Sequence, residues 1–208
     1  MKKILQFNGL NTTLKYFSAL VLAPLLFGTQ LHAQDTYKLN GSKDNVVKVS
    51  GKSNVHDWTM IAQNPVSDAD FGPLVGSDNV PKSLTSLNFS VNAKGLKSEH
   101  SSMDTRTYKV IKADAYPKIT FKSSSAVITP VSKGKFSVKV TGSLSIAGVS
   151  KTVTLQANGV VNADQGITCN GTQKLKLTDY NIQPPSFMLG AMKVGDELSI
   201  AYNLNFKN

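Results

Sequence analysis

Four places in the sequence carry side chains able to do chemistry: His56 with Asp57, the Glu99–His100–Asp104 stretch, Arg106 and Cys169. A histidine beside a carboxylate is the material of a general base and its orienting partner. Val55–Ala62 reads as a strand, however, and neighbours on a strand point to opposite faces, so His56 and Asp57 cannot form a dyad directly. His56 is instead expected to pack beside Trp58 or to take a hydrogen bond. His100 lies in a polar turn with Glu99 and Asp104 nearby, and could join His56 in holding a metal only if the fold brings the two together. The chain has no H-x-H or C-x-x-C spacing to recommend that. Nor does it contain G-x-S-x-G, H-E-x-x-H or a phosphate-loop pattern, and Gly190–Gly195 lacks the strand-to-helix setting a phosphate site needs. Arg106 is the only arginine, and a guanidinium suits planar recognition of phosphate or carboxylate. It either holds an anionic head group or pairs with Asp104 or Asp114 to pin its own segment, and the structural role is preferred slightly. Cys169 shares an alternating face with Ile167, Leu175 and Leu177, which makes it a buried small hydrophobe rather than a reactive thiol. No residue is assigned as catalytic or metal-ligating, and no cofactor is expected.

The elements that must position these residues begin after an N-terminal segment that does not belong to the fold. Lys2, Lys3 and Lys15 precede an apolar run from Tyr16 to Phe27, and Leu31-His32-Ala33 follows as an A-x-A-like site. This reads as a secretory signal peptide, residues 1–33, cleaved after Ala33, leaving one domain over 34–208 with no transmembrane segment. The lone cysteine is not at the cut, which argues against a lipid anchor made there, and it can form no internal disulfide. Removing three lysines and no acids lowers the net charge from +10 to +7. The remaining lysines are scattered singly on the polar sides of strands (Lys48, Lys122, Lys139, Lys174, Lys176), with no basic run interleaved with aromatics. That pattern favours solubility and blunted strand edges over nucleic-acid binding.

Alternation carries the fold. Leu87, Phe89, Val91 and Ala93 alternate with Asn88, Ser90, Asn92 and Lys94, and the same period of two runs through Phe136–Ile146, Val153–Ala157, Ile167–Leu177 and Leu198–Phe206. Thr36–Leu39 and Asn45–Ser50 predict two further strands, with Gly51–Asn54 as a turn. Another strand is expected from Pro117 to about Thr129, then a turn over Pro130–Gly134. The face of Val55–Ala62 that holds His56, Trp58, Met60 and Ala62 is expected to point inward. Residues 63–82 carry three prolines and two glycines without a sustained period, and are read as a loop holding at most a partial strand. Met103–Ala113 is expected to be a short helix capping one end. The spacing as a whole predicts an all-β, antiparallel barrel of eight strands or slightly more, wide enough to hold one small ligand. Its apolar face should point inward. The reverse, a small outer-membrane barrel, would place lysines in a narrow lumen and lacks aromatic girdles.

Several segments in order resemble the YceI-like, or polyisoprenoid-binding, proteins of bacteria: Ser53-Asn-Val-His-Asp-Trp58, Leu87-Asn-Phe through Gly95-Leu-Lys-Ser98, Met103-Asp-Thr-Arg106, Ala115-Tyr-Pro-Lys-Ile-Thr-Phe-Lys-Ser123 and Gly142–Val153. The Tyr116–Ser123 part is the most specific. A run of acidic and aromatic residues that is usual after the Leu-Lys-Ser element is replaced here by Met103–Asp114. The resemblance implies a lipocalin-like barrel, periplasmic or secreted, that binds a long-chain isoprenoid lipid such as a quinone precursor or a polyprenyl phosphate and is not an enzyme. The residues expected to line it are Trp58, Met60, Phe89, Val91, Phe121, Val138, Val140 and Leu155. Phe187, Met188 and Met192 would form an apolar rim or simply plug the end, and Arg106 would meet the head group. A homodimer is left open. The alternatives are an enzyme or metal protein using His56, His100 and Asp104, or the outer-membrane barrel.

Overall fold

A computed structural model describes residues 35–208, so the expected signal peptide lies outside the described residues. The chain enters as β1 (Asp35–Leu39), β2 (Val46–Ser53), β3 (Asp57–Ala62) and β4 (Val66–Phe71). A small ribbon follows, made of β5 (Leu74–Val75) and β6 (Val80–Pro81), and then β7 (Leu84–Asn92) and the short β8 (Leu96–Lys97). The single α-helix among the described residues, α1, covers Ser101–Val110. Four long strands come next: β9 (Lys118–Ser132), β10 (Lys135–Ile146), β11 (Val149–Val161) and β12 (Ile167–Lys176). A two-residue β13 (Ser186–Phe187) precedes the last strand, β14 (Met192–Lys207).

These pair antiparallel into a closed eight-stranded barrel. Three of its positions are broken strands. β1 and β2 both lie along β14, β4 and β3 lie beyond them, and β7 and β8 beyond those, before β9 to β12 lead back to β14. Closure comes from Lys38 opposite Lys207 and Leu39 opposite Phe206. Closing the sheet through β1 and β14 removes most of its free edge, leaving the short β8 paired only with β3.

The apolar side of the alternation faces inward. Val138, Val140 and Phe121 are buried, whereas Lys122, Lys139, Lys174 and Lys176 are exposed. At one end a ring cluster forms a floor: Phe71 meets Tyr37, Phe206 and Phe136 edge to face at centroid distances of 5.4, 6.1 and 6.5 Å. Edge-to-face contact sets the positive rim of one ring on the negative face of the next. At the other end α1 covers the opening. Tyr108 Oη reaches the carbonyls of Lys94 and Leu96 at 2.9 and 2.8 Å, and Thr107 Oγ1 lies 3.5 Å from Met60 Sδ, so the helix is tied to β8 and to the interior.

Several expectations need correction. The supposed loop at 63–82 contains β4, which with β3 makes up one position of the barrel. Its inward residues are Ser67, Ala69 and Phe71 and its outward ones Val66, Asp68 and Asp70, so small and polar side chains hide the period. Ser67 is tolerated inside because its hydroxyl donates to the Asn88 carbonyl at 2.6 Å. The strand after Pro117 runs on to Ser132, through the supposed turn at Pro130. There the partner of β10 jumps from Ser132 to Pro130, and a bulge lets a residue without N–H sit in the ladder. β2 continues through Gly51 to Ser53, so the turn falls at 54–56 and β3 starts at Asp57. The helix lies two to three residues earlier than 103–113, because Ala113 folds back to donate to the Tyr108 carbonyl.

Candidate ligand cavity

Between the aromatic floor and α1 the barrel encloses a cavity of about 400 Å³, within the range of small-molecule sites. The eight residues expected on its wall, Trp58, Met60, Phe89, Val91, Phe121, Val138, Val140 and Leu155, border it, and so do Phe187, Met192 and Arg106, expected at its rim and head-group end. Met188 does not. It stands at the tip of the 186–192 loop with 73% of its surface exposed. The helix contributes Met103, Thr107 and Val110 to the lining, and its C-cap Ile111 adds to them, a face whose polar neighbours conceal it in the sequence.

Trp58 owes its place to a glycine. Gly51 lies across the ladder from both Trp58 and Leu198. A Cβ on Gly51 would overlap the indole and come within 2.9 Å of Leu198 Cδ2. The missing side chain is the space the ring occupies.

Two buried polar atoms on residues of this apolar chamber have no hydrogen-bond partner among the described residues: Trp58 Nε1 and the Tyr180 hydroxyl. Tyr180 is only 2% exposed. Burial, then the charge of neighbouring Asp179, pushes its phenol up to about 12, so it stays a neutral donor. Cys169 also lines the cavity, and burial raises its thiol to about 12, which removes the thiolate on which reactivity depends.

Polar groups gather at the mouth instead. His56, His100, Ser102 and Arg106 all border it, the two histidines coming from the turn before β3 and from the N-cap of α1. The expected pairing of Arg106 with Asp104 or Asp114 is not made. Asp114 lies 2.6 Å from Lys94 Nζ and Asp104 3.6 Å from Lys97 Nζ, while the Arg106 guanidinium lies over the Phe187 ring. Asp104 is committed elsewhere as well, accepting from the Ser98 N–H and hydroxyl at 2.7 and 2.8 Å. Among the described residues no three of His, Cys, Asp and Glu come together in a way that could hold a metal ion.

Residues 37–206 match the YceI-like domain. The chain belongs to the YceI-like family. Protein YceI of Shigella flexneri is 28% identical over 123 residues, covering 55% of this chain and 61% of that relative. The chain therefore aligns with only about three fifths of such a curated YceI-like protein. The crystal structure of Burkholderia cenocepacia BcnA superposes with a TM-score of 0.61 at 20% identity, covering 77% of this chain and 95% of that one. A polyisoprenoid binding domain from Saccharophagus degradans, implicated in plant cell wall breakdown, gives 0.60 at 10% identity, covering 82% and 97%. At these identities the two structures speak for the YceI-like fold alone.

Proposed function

We propose that this YceI-like barrel binds a long-chain isoprenoid lipid outside the cytoplasm and carries or sequesters it without chemistry of its own. The observation that carries this reading is the chamber itself: closed at the floor by the aromatic cluster, mostly apolar along its walls and bordered at the mouth by His56, His100, Ser102 and Arg106. An extended hydrocarbon gains roughly 0.8 kcal/mol for each methylene it withdraws from water, and the adaptable Met60, Met103 and Met192 suit an irregular chain. The Saccharophagus domain that shares the fold is a polyisoprenoid binding domain, which supports the same ligand class here. Export is supported by Lys2, Lys3, the apolar run to Phe27 and the small residue at Ala33. The unpartnered donors on Trp58 and Tyr180 favour a ligand with an acceptor oxygen, such as an isoprenoid quinone or a prenyl carrier.

Native mass spectrometry of protein purified from its host tests this. The expected result is a retained lipid whose mass fits an isoprenoid. A barrel that is empty and that also ignores added isoprenoids would overturn the reading.

A further inference from the structure

The loop that carries Met188 is built in a way the cavity does not explain. Phe187 and Met192 line the mouth, yet Met188 and Leu189 between them face solvent, Leu189 with its whole surface exposed. Both have left-handed backbones, with φ of 54° each, followed by Gly190 at 92°. The Gly190 N–H donates to the Phe187 carbonyl at 3.1 Å, so Met188 and Leu189 are the two central residues of a tight turn with positive φ at both, positions that Asn, Asp or Gly ordinarily fill and that are costly for large side chains. The tip is also held firmly. Asn54 bridges to it from the opposite turn, donating from Nδ2 to the Ala191 carbonyl at 2.9 Å and accepting from the Lys193 N–H at 2.7 Å. The Val194 N–H donates to the Pro185 carbonyl at 3.0 Å. The same bridge brings Val55, 62% exposed, into the neighbouring turn.

We infer that Met188, Leu189 and Val55 form a membrane-contact tip beside the cavity mouth, which dips into the lipid interface so that the cargo passes between bilayer and barrel without crossing water. The inference rests on the cavity reading above. A lipid surface fits better than a protein partner because the feature is a convex point of three side chains, far below the roughly 800 Å² per side of a stable protein interface. It is continuous with the opening through which an apolar ligand must travel. Lys52 and Lys193, both exposed, stand at the base of the two turns, and a net charge of +7 after Ala33 favours an anionic surface.

The test uses the chain from residue 34 and phosphatidylcholine vesicles with and without phosphatidylglycerol. Binding is read by flotation and by energy transfer from Trp58, the only tryptophan, to a dansyl lipid. Met188→Ser with Leu189→Ser should weaken vesicle binding by about tenfold or more, since each methylene withdrawn from the interface is worth close to fourfold in partition. Val127→Ser with Val131→Ser, at exposed sites elsewhere on the barrel, should change nothing. Uptake of a short-chain, water-soluble ubiquinone should be the same in all three proteins. Failure of the parent protein to bind vesicles, or equal binding by the 188/189 variant, would overturn the tip. Vesicle binding that depends on Met188 and Leu189 but comes with no isoprenoid uptake would leave the tip standing and remove the cargo reading.

Discussion

The guanidinium carbon of Arg106 lies 4.8 Å from the centre of the Phe187 ring, so that a cation from α1 covers an aromatic from β13 across the mouth of the cavity. A cation over a ring at an exposed site contributes about 0.5–1 kcal/mol. Either Arg106→Ala or Phe187→Ala should therefore speed ligand release by about two- to fivefold, and the double variant should add little to the faster single one. Stopped-flow displacement of a bound fluorescent isoprenoid measures this. Additive effects of the two substitutions would show that the contact does not act as one latch.

Gly51→Ala should cost about 1–3 kcal/mol of stability, because the new methyl group competes with the Trp58 indole for the same volume. Urea unfolding followed by tryptophan emission reads both the loss and any displacement of the ring. A neutral substitution would mean that the indole can lie elsewhere in the chamber.

What the sequence made legible follows from where alternation is unbroken. β7, β10, β12 and β14 carry large apolar residues on one side and polar ones on the other, and their inward faces could be named down to Val91, Val138 and Val140. β4 could not be named, because a strand whose inward residues are Ser67 and Ala69 has no apolar period to detect. The helix lining was also hidden. Met103, Thr107 and Val110 share one face of a mostly polar segment, and their burial depends on a barrel mouth formed by distant strands. Met188 is expected with Phe187 and Met192 at an apolar rim or as a plug of the barrel end, but it sits exposed at a turn with a left-handed backbone. Arg106 had acids at nearby positions in the sequence, yet Lys94 and Lys97 take both of them in space.

Tyr180→Phe should stabilise the empty barrel by about 1 kcal/mol or more, since it removes a buried hydroxyl with no partner among the described residues. The same change should weaken binding of an isoprenoid quinone by roughly threefold to tenfold and leave a plain hydrocarbon of similar length unaffected. Thermal unfolding and ligand titration by Trp58 fluorescence separate the two effects. Equal losses for quinone and hydrocarbon would deny the hydroxyl any part in head-group selection.

Cys169 should resist thiol reagents in the folded protein at pH 8, because burial raises its thiol to about 12, and should react rapidly once the barrel is unfolded in urea. Prompt labelling without denaturant would mean that the β11–β12 wall opens on the timescale of the reaction.

Acid should loosen the helix cap through Asp104. Burial works against its charged form, but the Ser98 N–H and hydroxyl and the Lys97 ammonium outweigh burial and hold the carboxyl below its ordinary value of 3.8. In the unfolded chain those donors are gone and the ordinary value returns. As pH falls through 3.8 the unfolded state therefore takes up the proton first, and stability is lost between there and the lower folded value. Above that window the contribution is fully present. Asp104→Asn should cost about 1–3 kcal/mol at neutral pH, where an amide replaces the charge that its donors face, and should flatten the acid limb of the stability profile. Urea midpoints measured from pH 7 to pH 3 give both quantities. An acid limb just as steep in Asp104→Asn would assign the pH dependence to other carboxylates such as Asp164 and Asp196, which are also held low, by Lys207 and by Thr178.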